Sequence, residues 1–136
     1  MVLSWEVNNN AAPPNNRCIF AGPFFLQGDP AGVPPFSLKL TKGSVIGANN
    51  LTVAMGVVRI DGTVDAQLQY SGSVNFYYNS TGPVTSGYEL PPASNTSNFQ
   101  NLTVVGSPLT LNGSKTMNGV LTTGVVLNLG GNTLTI

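Results

Sequence analysis

Residues 50–79 read NLTVAMGVVRIDGTVDAQLQYSGSVNFYYN, and the way this stretch pairs decides the fold. Leu51, Val53, Met55 and Val57 alternate with Thr52, Ala54 and Gly56, the period of a strand with one buried face. Asp61-Gly62 is a two-residue hairpin signal. It pairs Ile60 with Thr63 and so sets Val57 against Ala66, Met55 against Leu68 and Val53 against Tyr70. A three-residue loop at Tyr70-Ser71-Gly72, with Gly72 left-handed, then brings Val74 to Leu68, Phe76 to Ala66 and Tyr78 to Val64. A two-residue loop at Ser71-Gly72 would mix the polar and apolar faces. The expectation is an antiparallel meander with one apolar side.

Outward from this stretch the chain keeps the same character. Phe36, Leu38 and Leu40 alternate with Ser37, Lys39 and Thr41 as a half-buried strand, and Val45-Ile46 begins a shorter one. In the last third, Leu102, Val104 and Val105 form a strand, Leu109 and Leu111 another, and residues 120–129 a longer one. A turn at Gly130-Gly131 pairs Leu127 with Leu134 and Val125 with Ile136. No window carries apolar residues at helical spacing free of Gly, Pro or β-branched interruption. We therefore expect an all-β fold of eight or nine strands, an antiparallel β-sandwich or jelly-roll, with a small β-barrel second. Asn50-Leu51-Thr52-Val53 and Asn101-Leu102-Thr103-Val104 echo each other without forming a strict repeat.

Two segments interrupt the strands. Residues 1–35 carry Pro13-Pro14, Pro23, Pro30 and Pro34-Pro35 with Asn runs between them, which disfavours helix and central strand. Trp5, Ile19, Phe20, Phe24, Phe25 and Leu26 are too apolar for a disordered tail. This reads as an extended N-terminal arm, wrapped on its own sheet or lashed to a neighbouring subunit, before a single domain at 36–136. Residues 79–101, with Gly82-Pro83 and Pro91-Pro92, read as a long loop, a length that is often functional. Tyr88, Leu90 and Phe99 are its anchors or its contact tip.

Charged residues make up 7% of the 136, against about 25% in ordinary soluble proteins, and five positive residues balance five negative ones. A neutral, charge-poor surface promotes association. The dispersed Arg17, Lys39, Lys42, Arg59 and Lys115 make no footprint for nucleic acid. Cys18 is the single cysteine and histidine is absent, so neither an intrachain disulfide nor an ordinary transition-metal site is expected, and Cys18 reads as a small core residue. The start MVLSWEVNNN is no Sec signal, and no run of 18 apolar residues would span a membrane as a helix.

Catalysis at neutral pH usually draws on histidine or a carboxylate pair. Asp61 is accounted for by its turn, Asp65 by the polar sheet face, and Asp29 by a loop, leaving Glu6 and Glu89 as loop carboxylates. No enzyme and no cofactor is expected. Trp5, Tyr77, Tyr78 and Tyr88 beside Asn side chains suit sugar stacking, which keeps a lectin-like module as an alternative. Asn-X-Ser/Thr triplets at Asn50, Asn79, Asn95, Asn101 and Asn112 are incidental in a chain this rich in those residues.

The arm, the Gly/Asn/Thr-rich strands and the terminal Gly130-Gly131-Asn132-Thr133-Leu134-Thr135-Ile136 resemble small structural proteins of phage and virus particles, most of all the decoration or cement proteins of tailed-phage capsids. The resemblance implies a homo-oligomer, often a trimer, made in the host cytoplasm and clamping the major capsid protein or other virion subunits at the capsid surface. Trp5, Phe20, Phe24, Phe25, Tyr88 and Ile136 are the expected interface residues. A penton or other minor capsid subunit and a tail-fibre module are alternatives.

Overall fold

The computed structural model describes residues 5–12, 15–27 and 37–136, and in it Val57 pairs with Leu38 before it and Phe76 after it, 19 residues away each time. The strands are β1 (Trp5–Asn8), β2 (Arg17–Ile19), β3 (Phe24–Gln27), β4 (Ser37–Lys42), β5 (Ser44–Ile46), β6 (Leu51–Ala54), β7 (Gly56–Arg59), β8 (Thr63–Val64) and β9 (Gln69–Tyr70). They continue as β10 (Val74–Asn79), β11 (Val84–Thr85), β12 (Phe99–Val105), β13 (Leu109–Thr110), β14 (Lys115–Thr116), β15 (Leu121–Thr123), β16 (Leu127–Asn128) and β17 (Leu134–Thr135). One 3-10 turn, Ala48–Asn50, is the helical element among the described residues. The fold is all-β.

Among the described residues all 12 strand pairings are parallel. This overturns the antiparallel β-sandwich, the jelly-roll and the small barrel, and with them the hairpins at Asp61-Gly62 and Gly130-Gly131. The chain is a parallel β-solenoid. Each circuit adds one strand to a six-stranded sheet ordered β1-β4-β7-β10-β12-β15. Parallel neighbours need a crossover of roughly a dozen residues or more, and the remaining strands of each circuit supply it. In the first three circuits these are β2-β5-β8 and β3-β6-β9; in the later ones they are β11-β13-β16 and β14-β17. The change of sheets falls in the fourth circuit, where Phe76 to Leu102 spans 26 residues instead of 19.

Side chains that point inward stack in columns. One runs Trp5, Leu38, Val57, Phe76, Leu102, Leu121; its neighbour runs Val7, Leu40, Arg59, Tyr78, Val104, Thr123. Phe76 meets Phe99 at 5.0 Å and Tyr70 at 5.6 Å between ring centroids, both edge-on, which fills the middle of the core. Within the segment read as an arm, β1, β2 and β3 pair with β4, β5 and β6 and form the first circuit. Phe36, Asp29 and the expected boundary between residues 35 and 36 lie outside the described residues.

The hairpin signals have other causes here. Gly62 does not adopt a left-handed φ. Its N–H donates to Leu40 O, and a Cβ there would stand 2.8 Å from the Leu40 carbonyl carbon, so glycine is required by close approach to the previous circuit. Gly72 is left-handed as its loop demands, with φ 91°, but the strand after it lies parallel. The many Asn side chains tie corners of neighbouring circuits: Asn50 Nδ2 donates to Phe20 O at 2.9 Å, Asn132 Nδ2 to Leu111 O at 3.1 Å, and Asn101 Oδ1 accepts from Val120 N at 2.7 Å. The echoing Leu51 and Leu102 fall in different sheets.

Candidate functional site

The first circuit holds four of the expected interface residues and brings the rings of three, Trp5, Phe20 and Phe24, together. Trp5 and Leu38 share an inward column, as do Phe24 and Leu51, so among the described residues these rings have a neighbouring circuit on one side. Phe24 touches Trp5 at 5.6 Å and Phe20 at 5.5 Å between centroids. With Glu6, Val7, Cys18, Leu26 and Leu38 they line a cavity of about 280 Å³. Phe25 alternates to the outer face and is 53% exposed. Tyr88 is exposed on the inserted segment of the fourth circuit, and Ile136 is exposed beyond β17 in the last circuit. The six residues are therefore distributed over three places.

The rings considered for sugar stacking are likewise apart. Trp5 belongs to the aromatic group of the first circuit, and Tyr78 is buried. Tyr77 sits on the outer face of the long sheet between Val58 and Thr103, and the Tyr88 carbonyl accepts from Gln67 Nε2 and Leu68 N beside the third circuit.

Sequence reasoning missed a charge cluster inside the coil. Arg59 continues the inward alternation of Val57 and would be an ordinary core position but for its guanidinium. Arg59 Nη1 donates to the Glu89 carboxylate and, at 3.0 Å, to Thr85 O. Glu89, fully buried in the inserted segment, also accepts from Tyr78 Oη at 2.6 Å and Gly87 N at 2.8 Å, while Tyr70 Oη donates to the Glu89 carbonyl. Lys115 Nζ reaches Leu90 O at 3.4 Å. Glu89 Oε2 and Arg59 Nε carry no hydrogen bond. The signal available in the sequence was the single Arg at an inward position of an otherwise apolar strand.

Burial governs the electrostatics of this cluster. It pulls the Arg59 guanidinium down, but the Glu89 carboxylate and Tyr78 outweigh it and hold Arg59 above its usual value. Burial pushes the Tyr78 and Tyr70 hydroxyls well up, with the Glu89 charge adding to it. Burial also lowers the Lys115 ammonium, against the opposing pull of Glu89. Chemically this is a closed lock: it joins the third circuit, the insertion and the fifth circuit.

The remaining described carboxylates brace corners. Asp65 accepts from Gly47 N and Ala48 N, both at 3.0 Å, and those contacts hold it below the usual carboxylate range. Asp61 accepts from Thr81 N at 3.1 Å and Thr81 Oγ1 at 2.7 Å, and Glu6 from Thr41 Oγ1 at 2.7 Å. Among the described residues no group of three His, Cys, Asp or Glu side chains is placed to hold a metal ion, and no helix is long and apolar enough to cross a membrane.

The sixth circuit is less covered than the fifth. Leu121, Val125, Leu127 and Leu134 pack on the core yet stay partly exposed, whereas Leu102 and Leu109, one circuit earlier, are completely covered. Val120 and Val126 are 65% and 66% exposed. No protein-family model, curated protein or solved structure matches this chain.

Proposed function

We propose that the chain is a non-enzymatic structural protein of a phage or virus particle, a capsid decoration or cement subunit that seats its aromatic first circuit on a neighbouring capsid protein. The observation that carries this reading is the grouping of Trp5, Phe20 and Phe24 in the first circuit, where Phe24 touches both other rings, with Phe25 exposed next to Phe24 in β3. Each large apolar side chain buried on docking contributes roughly 1.5–3 kcal/mol before ordering costs. The described carboxylates support a passive role, since each braces one part of the coil against another.

A tail-fibre or spike module is the second reading, favoured by a solenoid that grows along a single axis, one strand per circuit. The test is to express the tagged chain in cells making the particle and to fractionate the lysate on a density gradient. Co-sedimentation with assembled particles, weakened by Phe25→Ser, is the expected result. A chain that stays in the light, soluble fractions while particles form overturns the proposal.

A further inference from the structure

An asparagine followed by glycine is chemically labile in water, because a peptide nitrogen with no side chain beside it approaches the Asn amide carbon unhindered and closes a succinimide ring. The chain holds two such pairs, Asn112-Gly113 and Asn118-Gly119, and both asparagines are exposed. Neither sequence nor exposure separates them. The fold does.

The second pair is held on every side. Asn118 N donates to Phe99 O at 2.9 Å, Val120 N to Asn101 Oδ1 at 2.7 Å, and the Asn118 side-chain amide to Thr96 O. A Cβ on Gly119 would stand 2.6 Å from Gln100 O, so its main chain lies hard against the neighbouring circuit. The first pair sits at an open corner between β13 and β14. A Cβ on Gly113 would meet nothing within 4 Å. Among the described residues the N–H groups of Gly113 and Ser114 and the Asn112 Nδ2 amide carry no hydrogen bond. The Ser86 hydroxyl donates to Asn112 Oδ1 at 3.0 Å, the oxygen that gains negative charge when a nitrogen adds to the amide carbon.

From this contrast we infer that Asn112 is a site of spontaneous deamidation, selected by the fold over Asn118, with water as the co-reactant. The Gly113 nitrogen gives its proton to solvent and bonds to Asn112 Cγ. The Cγ–Nδ2 bond breaks, and Nδ2 leaves as ammonia. Water then opens the succinimide: cleavage at Cγ leaves aspartate, and cleavage at the Asn112 main-chain carbonyl leaves isoaspartate. Either product adds one negative charge to a chain whose formal charge is zero. Isoaspartate also inserts a methylene into the main chain. It does so where Asn112 N, donating to Ser86 Oγ at 3.0 Å, and Asn112 Oδ1 together clasp the fourth circuit to the fifth. This site is independent of the virion reading and survives its failure.

Mass spectrometry tests it on the unmodified chain after incubation in mildly alkaline buffer. Tryptic cleavage after Lys115 puts the two asparagines on different peptides. The expected result is that the Asn112 peptide gains the mass of an amide-to-acid exchange about tenfold faster than the Asn118 peptide. In concentrated urea, where both pairs are free, the two rates are expected to converge. Gly113→Ala, whose methyl group has room in the fold but hinders ring closure, is expected to slow Asn112 about tenfold. No reaction at Asn112 in buffer, a folded Asn118 that keeps pace with it, or a preference that persists in urea overturns the inference. So does an unchanged rate in a folded Gly113→Ala. Should that variant fail to fold, the comparison of buffer with urea on the unmodified chain decides.

Discussion

Arg59 and Glu89, 30 residues apart in sequence, meet inside the coil as a buried ion pair, with the Tyr78 hydroxyl donating to the same carboxylate at 2.6 Å. The pair ties the third circuit to the segment that makes the fourth circuit longer than its neighbours. It sits where the coil changes from one set of sheets to the other, so its loss is felt on both sides.

Glu89→Leu leaves a buried guanidinium without its counter-charge and is expected to cost about 3–5 kcal/mol of unfolding free energy. Arg59→Met combined with Glu89→Leu removes both charges and is expected to recover most of that loss. Urea denaturation of the two single variants and the double variant measures the coupling. Strictly additive losses would show that the pair does not act as a unit.

Gly62→Ala places a methyl group 2.8 Å from backbone of the previous circuit and is expected to destabilise by about 1–3 kcal/mol. Gly113→Ala, with open space around it and no left-handed φ, is expected to be neutral or slightly stabilising. Thermal midpoints of the two variants separate a glycine held by close packing from one that merely occupies a bend. Equal midpoints would contradict the close approach.

Leu102→Ala and Leu121→Ala delete the same side chain from one inward column, one circuit apart. The first is expected to cost about 2–5 kcal/mol because Leu102 is fully covered. The second is expected to cost less, because Leu121 is only partly covered. Denaturation midpoints of the two variants read the difference.

Asp65 carries the pH dependence of a corner. Its folded pKa lies below the ordinary 3.8, chiefly through the Ala48 and Gly47 N–H groups, so the unfolded chain takes up the proton first as pH falls. Its stabilisation is therefore complete well above 3.8 and is lost as pH drops through the folded value. The midpoint difference between the wild-type protein and Asp65→Ala should be constant near neutrality and shrink in acid. A difference that persists unchanged into strong acid would rule out the carboxylate as its source.

Much of the inside of this protein was legible. The alternation in residues 50–79 assigns Val53, Met55, Val57, Val64, Leu68, Val74, Phe76 and Tyr78 to one apolar side with Ala66 and Tyr70; the first eight are buried and the last two are partly buried against the core. The assignment survives the wrong pairing because a hairpin and a solenoid circuit share the two-residue period. Val58 falls on the opposite side by the same alternation and is buried as well, since Lys39 and Tyr77 flank it in the neighbouring strands. Arg59 and Glu89 were read as two scattered charges, because nothing local marks two residues that meet only when the coil closes.

Composition and period alone thus determined an all-β chain with few charges, no long helix and a defined apolar side to its strands, all properties of each residue and its nearest neighbours. Which strand lies beside which was decided only in the tertiary structure. Backbone hydrogen bonds carry no sequence label, so Val57 can satisfy the same valences against a strand a few residues on or against Phe76 a full circuit away. Here the choice falls to contacts between circuits: Gly62 against Leu40, the Asn corners, and the ion pair of Arg59 with Glu89.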